Sequence, residues 1–331
     1  MGGLGAAGAA ASGTDTTVRT SEVTALSRSQ FKWVYDRMQQ HLGSANADTW
    51  GYSYLGEMED IQIARYSGER SGHYTWHPDA VYTNKYGKAN SAAAHYGGHN
   101  RLLSASVQLS ESDAYEGGDL QIGTANATRT RGAVVVFPSY QLHRVYPVLS
   151  GERYSLVVWM HGHDGAEQYW QDAESSYQAG ATAEAEQESY TLAAGNSLGA
   201  LYSSAGRAEE ALPVYNSALQ MSPADATTLN NLASAQMQLH RNSEAVDTFT
   251  RAIDLQPSMI WSLRGRGAAL LRLGRGAESI ADTEAALAIS GPTDSAALLN
   301  LGMALFETKQ HSAAVKALTQ AVETGQLDPQ G

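Results

Sequence analysis

Small residues recur at a fixed interval through the second half of the chain, and a fixed interval restricts the fold more than any composition does. Gly199, Ala233 and Gly267 lie 34 residues apart and Gly302 follows 35 later; Ala218, Ala252 and Ala286 keep the 34-residue step, as do Pro223 and Pro257. A period of this size marks one supersecondary unit copied along the chain. After about residue 180 the sequence is rich in Ala, Leu, Glu and Gln, which favour helix, with Gly and Pro confined to regular places. Two antiparallel helices per period follow. Small residues at the repeating positions let paired helices approach closely, while Tyr202, Tyr215 and Phe249 fill the gaps between them. Each unit leaves an apolar face that only its neighbour covers, so the units stack as a solenoid.

This pattern resembles the tetratricopeptide repeat. Repeats are expected at about 192–225, 226–259, 260–294 and 295–328, within a solenoid region set at 190–328. The third departs from the pattern: Arg266, Ser279 and Thr283 stand where Leu, Ala and an aromatic are usual, so looser pairing is expected there.

The first half is built differently. From about residue 51 to 163 the chain is rich in Tyr, Val, Trp and Gly, with β-branched runs such as AVVVF (133–137) and SLVVW (155–159) between turn residues. That is an all-β pattern. Ahead of it, the stretch from Ser27 places Phe31, Val34, Tyr35 and Met38 on one face of a helix that can cover the sheet. Residues 21–165 are assigned to this domain, 166–189 to a helical linker and 1–20 to a disordered Gly/Ala-rich tail.

Charge and composition exclude several partners. The net charge of −12 divides into −5 up to residue 180, from 13 Lys and Arg against 18 Asp and Glu, and −7 beyond it, from 9 against 16. Neither half offers the basic face that nucleic acid requires. With no cysteine, disulfides, thiolate zinc sites and cysteine nucleophiles are all absent. No apolar run approaches the roughly 20 residues of a membrane helix. The N-terminal stretch lacks the basic and apolar regions of a signal peptide, so a cytoplasmic protein is expected.

Two segments of the β region carry chemistry. In YTWHPDA (74–80), His77 and Asp79 stand two residues apart, which on a strand turns both side chains to one face. A His-x-Asp alone carries little weight. The second segment, FPSYQLHRVYPVLSGERYSLVVW (137–159), adds His143 at the start of a strand, a turn around Ser150 and Gly151, and Arg153 on the returning strand. Two histidines and one carboxylate form a facial triad that holds Fe(II) and leaves three coordination positions open. Two of these suit a bidentate 2-oxo acid and the third suits O2. A guanidinium nearby pairs bidentately with the distal carboxylate of that acid. A hydrolytic zinc site would use the same ligands, but it leaves Arg153 without a task.

Three ordered blocks, RYSGERSGHYTWHPD, RLLSASVQLSESDAYEGGDL and GAVVVFPSYQLHRVYPVLSGERYSLVVWMHG, cover about residues 60 to 162. They resemble the iron and 2-oxoglutarate-dependent dioxygenases of the prolyl 4-hydroxylase type, especially the PKHD-type hydroxylases. The resemblance implies a double-stranded β-helix (jelly-roll) domain. It implies His77, Asp79 and His143 as iron ligands, and Arg153 on the C5 carboxylate of 2-oxoglutarate. Tyr66 matches a tyrosine reaching into the cosubstrate pocket, Gln108 stands where some relatives place a tyrosine touching the same carboxylate, and Trp159 matches an aromatic of the pocket wall. Fe(II), 2-oxoglutarate and O2 are the expected cofactors, with ascorbate as an auxiliary. Without the motif, Tyr66 and Trp159 read as core aromatics.

Gly117 and Gly118 read as backbone positions permitting a turn or close approach. His73, His95, His99, His161 and His163 are expected at the surface or supporting the site, not as ligands. The stretch between Asp79 and Arg101 has no counterpart in the pattern and is expected to form a mobile loop near the substrate opening. The leading expectation is hydroxylation of a protein side chain, prolyl first, on a protein or peptide held by the repeats. The alternatives are an oxygenase of a free amino acid or other small molecule with repeats for assembly, and a metal-binding scaffold without turnover.

Overall fold

The computed structural model describes residues 18–52, 55–80, 100–162, 167–181 and 188–327. Its chain divides into two units, the first reaching Ser176 and the second running on from Tyr177. Most of the expected tail, the loop read between Asp79 and Arg101, and His95, His99 and His163 lie outside the described residues.

In the first unit the β-branched runs become strands: β1 Glu22–Ala25, β2 Leu55–Met58, β3 Gln62–Ser67, β4 Tyr74–His77, β5 Asn100–Gln108, β6 Tyr115–Gly117, β7 Leu120–Ile122, β8 Ala125–Asn126, β9 Val134–Pro138, β10 His143–Val145 and β11 Val148–Gly162. The larger sheet runs β1-β3-β11-β5-β9 with β2 and β6 also on β11, and the smaller runs β4-β10-β7-β8. All these pairings are antiparallel. This is the double-stranded β-helix. Its core joins Ala64, Tyr66, Tyr115 and Val148 from the larger sheet to Leu120 and Val145 from the smaller. Burial of a large apolar side chain of this kind stabilises by about 1.5–3 kcal/mol.

Two local readings are corrected. The turn expected around Ser150 and Gly151 is a bulge inside the single strand β11, where pairing with β6 shifts register between Val148 and Ser150. Gly151 allows it with φ +72°, and a Cβ there would meet the Ala114 carbonyl oxygen at 2.2 Å. Val18–Thr20, at the end of the expected tail, pair with the backbone of His73 and Thr75.

Helix α1, Lys32–Ala45, buries Val34, Tyr35 and Met38 of the expected face together with Leu42, whereas Phe31 is its half-buried N-cap and not part of the helix. Tyr35 Oη donates to the Leu26 carbonyl at 2.7 Å and accepts from the Ile61 N–H at 3.0 Å, which ties the helix to the end of β1 and the start of β3. Helix α2, Glu167–Ala181, carries the chain into the second unit.

That unit pairs α3 Glu188–Ser204 with α4 Ala208–Met221, α5 Ala226–Gln238 with α6 Asn242–Leu255, α7 Ile260–Arg272 with α8 Gly276–Ser290, and α9 Ser295–Glu307 with α10 His311–Leu327. Gly199 shows why the repeating position is small: a Cβ there would meet the Tyr215 ring at 2.4 Å. The turn within each pair places one residue at positive φ in step with the period, at Gly206, His240, Gly274 and Lys309.

The third repeat is not loosened by its polar residues. Arg266 reaches the Asp282 carboxylate with Nε at 2.8 Å and a terminal nitrogen at 2.6 Å, and it donates to Thr250 Oγ1 at 3.0 Å. Ser279 and Thr283 are fully buried, with the Thr283 hydroxyl bonded to the Ser279 carbonyl. An ion pair and a backbone-bonded hydroxyl replace the apolar contacts, and both helices still close on each other.

Candidate active site

Strand pairing builds the site. Antiparallel register sets His143 on β10 opposite His77 on β4, and Arg153 on β11 opposite Tyr66 on β3. The two imidazoles lie with centroids 4.2 Å apart. Asp79 joins them from outside the strand where the sequence reading put it. β4 ends at His77, and past Pro78 the Asp79 and Ala80 N–H groups both donate to the Ser139 carbonyl at 2.8 Å. This turn brings the carboxylate back over the histidines. The ligand atoms of His77, Asp79 and His143 all lie within 4.8 Å of one another.

Each imidazole is oriented by its far nitrogen. His77 Nδ1 bonds to the Thr75 carbonyl at 2.7 Å and His143 Nδ1 to the Gln141 carbonyl at 3.0 Å. A carbonyl only accepts, so Nδ1 carries the proton and Nε2 is left with a lone pair. Both Nε2 atoms face the carboxylate, at 3.9 Å from Asp79 Oδ1 for His77 and 3.4 Å from Oδ2 for His143.

Electrostatics suits the same use. Burial first and the neighbouring His143 second push His77 down to about 3, so its imidazole is neutral at ordinary pH. Burial would raise the Asp79 carboxyl, but His143, His77 and Arg101 outweigh it and hold it below its ordinary value. Asp79 Oδ2 is buried and accepts no hydrogen bond from the described residues. Two lone-pair nitrogens around an ionised, unpartnered oxygen fit a divalent cation such as Fe(II).

The cavity holding these three is also lined by Tyr66, Arg153 and Trp159. Arg153 is buried, 3% exposed, and among the described residues its side chain bonds only to Ser155 Oγ, at 3.4 Å. Its guanidinium sits 5.6 Å from the Tyr66 ring centroid. The Trp159 indole N–H stands near Asp79 without reaching hydrogen-bond geometry. Gln108 does not line this cavity. It lines an adjoining one that shares Arg153.

Residues 61–161 match the 2OG-Fe(II) oxygenase superfamily, and residues 202–267 and 264–331 match tetratricopeptide repeat models. The chain carries a 2OG-Fe(II) oxygenase domain followed by tetratricopeptide repeats. Its oxygenase domain lies where the triad and Arg153 lie, and that superfamily implies Fe(II), 2-oxoglutarate and O2. A PKHD-type hydroxylase of Synechococcus sp. (strain CC9605) is 33% identical over 114 residues, which are 33% of this chain and 45% of the relative. A PKHD-type hydroxylase of Shewanella oneidensis is 47% identical over 62 residues, 18% of this chain and 28% of the relative. The chain thus spans less than half the length of either. Among solved structures, that of MamA has a TM-score of 0.43 at 20% identity, over 48% of this chain and 91% of that one.

Several residues of the oxygenase domain were not singled out by the sequence. Tyr74 stacks on His77 with centroids 3.4 Å apart, Phe137 sets its edge against His143, and Arg19 lies over Tyr74 at 4.8 Å. Behind the cavity, His161 Nε2 meets Glu59 Oε1 at 2.6 Å, and Arg101 pairs with the same carboxylate through Nε at 2.5 Å and a terminal nitrogen at 2.7 Å. Arg101 also lies 4.1 Å over the Trp159 ring and 3.5 Å from the Asp79 carbonyl. His161, 1% exposed, is therefore a supporting residue, as expected. The only advance signal for Tyr74 and Phe137 is that each opens one of the two segments that carry His77 and His143.

Proposed function

We propose that the oxygenase domain is an Fe(II)- and 2-oxoglutarate-dependent hydroxylase acting on a prolyl or other side chain of a protein that the repeats hold. The observation that carries this reading is one cavity containing two free imidazole nitrogens, an unpartnered carboxylate oxygen and a guanidinium with no carboxylate partner among the described residues. His77, Asp79 and His143 would hold Fe(II), which couples decarboxylation of 2-oxoglutarate to succinate with insertion of one oxygen atom of O2 into a C–H bond of the acceptor.

The chain's own residues bind and orient. The Thr75 and Gln141 carbonyls hold both imidazole protons on Nδ1, which fixes the orientation of each ring and keeps Nε2 aimed at the metal position. Arg153 holds the cosubstrate by its distal carboxylate. A buried charge-assisted pair of that kind fixes position as well as affinity. Phe137, Leu120, Val157 and Trp159 line the cavity and exclude water from the reacting centre. Ascorbate belongs to the same reading, as a reductant added to the assay.

Recruitment by the repeats draws support from exposed apolar residues on the first helices of the last two repeats. Trp261 is 67% exposed, and Leu299, Met303 and Phe306, at i, i+4 and i+7, are about half exposed or more. Such a stripe suits a peptide with apolar anchors.

The test is incubation with Fe(II), 2-oxoglutarate and a peptide library, reading mass gains of one oxygen. Deleting the chain after about residue 185 then addresses recruitment, because tethering a second binding surface raises substrate concentration at the iron. Weaker capture of an intact protein target by the truncated enzyme, with short-peptide turnover retained, is expected. Equal Michaelis constants for both enzymes on the intact target would reject recruitment.

A further inference from the structure

The adjoining cavity is lined by Gln108, Tyr115, Arg129 and Arg153 among others, and it contains a hydrogen-bond donor with no assigned use. Gln108 Nε2 donates to the Ser110 carbonyl at 3.2 Å and to Tyr115 Oη at 3.0 Å. The Ser110 carbonyl only accepts, so the amide nitrogen must face it, and both amide protons are thereby used. Gln108 has none left for a ligand. Tyr115 Oη, having accepted from Gln108, still carries a proton that it donates to no described residue.

The Tyr115 ring and the Arg153 side chain line this cavity together. A Cβ built on Gly118, at φ +66°, would meet Tyr115 Cε2 at 3.2 Å and Arg153 Cδ at 3.3 Å, so the two side chains flank one point that only a glycine leaves open. Tyr115 is 6% exposed and held from both sides. The Arg129 guanidinium lies 4.3 Å over its ring and donates to its carbonyl at 2.8 Å, while pairing of β6 with β11 sets it opposite Gly151.

The geometry points to Tyr115 as a second cosubstrate-binding residue, donating its hydroxyl proton to the distal carboxylate held by Arg153. Gln108 is a positioning residue: it occupies a lone pair of Oη and turns the proton toward the ligand. The inference rests on the reading of Arg153 above, and it moves Gln108 from contact with the cosubstrate to action through Tyr115. The hydroxyl that some relatives place at the position of Gln108 is here supplied from the neighbouring strand.

Tyr115→Phe keeps the ring and removes only the hydroxyl. Calorimetry without oxygen, with Mn(II) in place of iron, should show about a tenfold weaker Kd for 2-oxoglutarate, the effect of one hydrogen bond to a charged group. Binding of Mn(II), and of pyruvate, which lacks the distal carboxylate, should not change. Gln108→Leu should weaken 2-oxoglutarate binding in the wild-type background and add nothing in the Tyr115→Phe background. Wild-type affinity in Tyr115→Phe, or equal losses for 2-oxoglutarate and pyruvate, would overturn the role of Tyr115 alone. A wild-type protein that binds pyruvate but gains nothing from the distal carboxylate would overturn the reading of Arg153 together with it.

Discussion

Asp79 Oδ2 lies 3.4 Å from His143 Nε2 and accepts a hydrogen bond from no described residue, although its residue is only 8% exposed. With the His143 proton on Nδ1, toward the Gln141 carbonyl, Nε2 turns its lone pair to the carboxylate, so the two atoms face each other as acceptors. A buried acceptor left unpartnered costs about 1–3 kcal/mol, and a cation between the two removes that cost.

Stability should therefore respond to metal through Asp79. Metal-free Asp79→Ala is expected to keep the fold and to melt close to the wild-type temperature, because the attraction of Arg101 and the histidines for the carboxylate is lost together with the cost of its unpartnered oxygen. Added Mn(II) should raise the wild-type midpoint and leave the variant's unchanged. A fall of many degrees in the metal-free variant would show Asp79 to be a packing residue.

Arg153→Leu separates cosubstrate from metal. No ligand atom is touched, so Mn(II) binding should persist while 2-oxoglutarate loses on the order of 2–4 kcal/mol of binding free energy, as expected for a buried charge pair losing one partner. Unchanged affinity by anaerobic calorimetry would remove Arg153 from the site.

The parts of this site that were legible were local in sequence or carried by a long motif. His77 and Asp79 stand two residues apart, and the ordered block around His143 and Arg153 supplied the rest. Even so, the strand spacing of His77 and Asp79 does not carry to Asp79, because the double acceptance by the Ser139 carbonyl joins segments 60 residues apart. The Glu59, Arg101 and His161 network spans 42 and 102 residues of sequence, beyond any periodicity. Likewise Tyr115 answers for Gln108 only once β6 and β5 are folded beside Arg153. In the repeats the period located every helix pair, but Arg266 read as a misfit because its partner, Asp282, lies on the other helix of the pair.

Glu59 makes the oxygenase domain acid-sensitive. Burial would raise its carboxyl, but the hydrogen bonds from His161 and Arg101 outweigh burial and hold it below its ordinary value. A depressed carboxyl stabilises the fold above the unfolded-state pKa of about 4.3, and that stability is lost as pH falls through the lower folded value. Urea unfolding should thus show stability falling with pH below about 5, with a shallower fall in Glu59→Gln. Equal slopes would contradict the assignment.

The Arg266 and Asp282 pair offers a double-mutant cycle. Arg266→Leu alone leaves Asp282 buried without its partner and should cost about 2–3 kcal/mol, below a fully buried case because Arg266 keeps 22% side-chain exposure. Adding Asp282→Ala should recover most of the loss. Additive costs in denaturant titrations would mean that the two side chains act independently.

The most direct test of the central claim is succinate release from 2-oxoglutarate by purified protein with Fe(II) and O2, comparing wild type with Asp79→Ala. The account predicts iron-dependent succinate from the wild type, rising when a hydroxylatable peptide is present, and at least a hundredfold less from a variant that has lost one of three protein ligands. Wild-type rates in Asp79→Ala, or no iron-dependent succinate from the wild type, would contradict it.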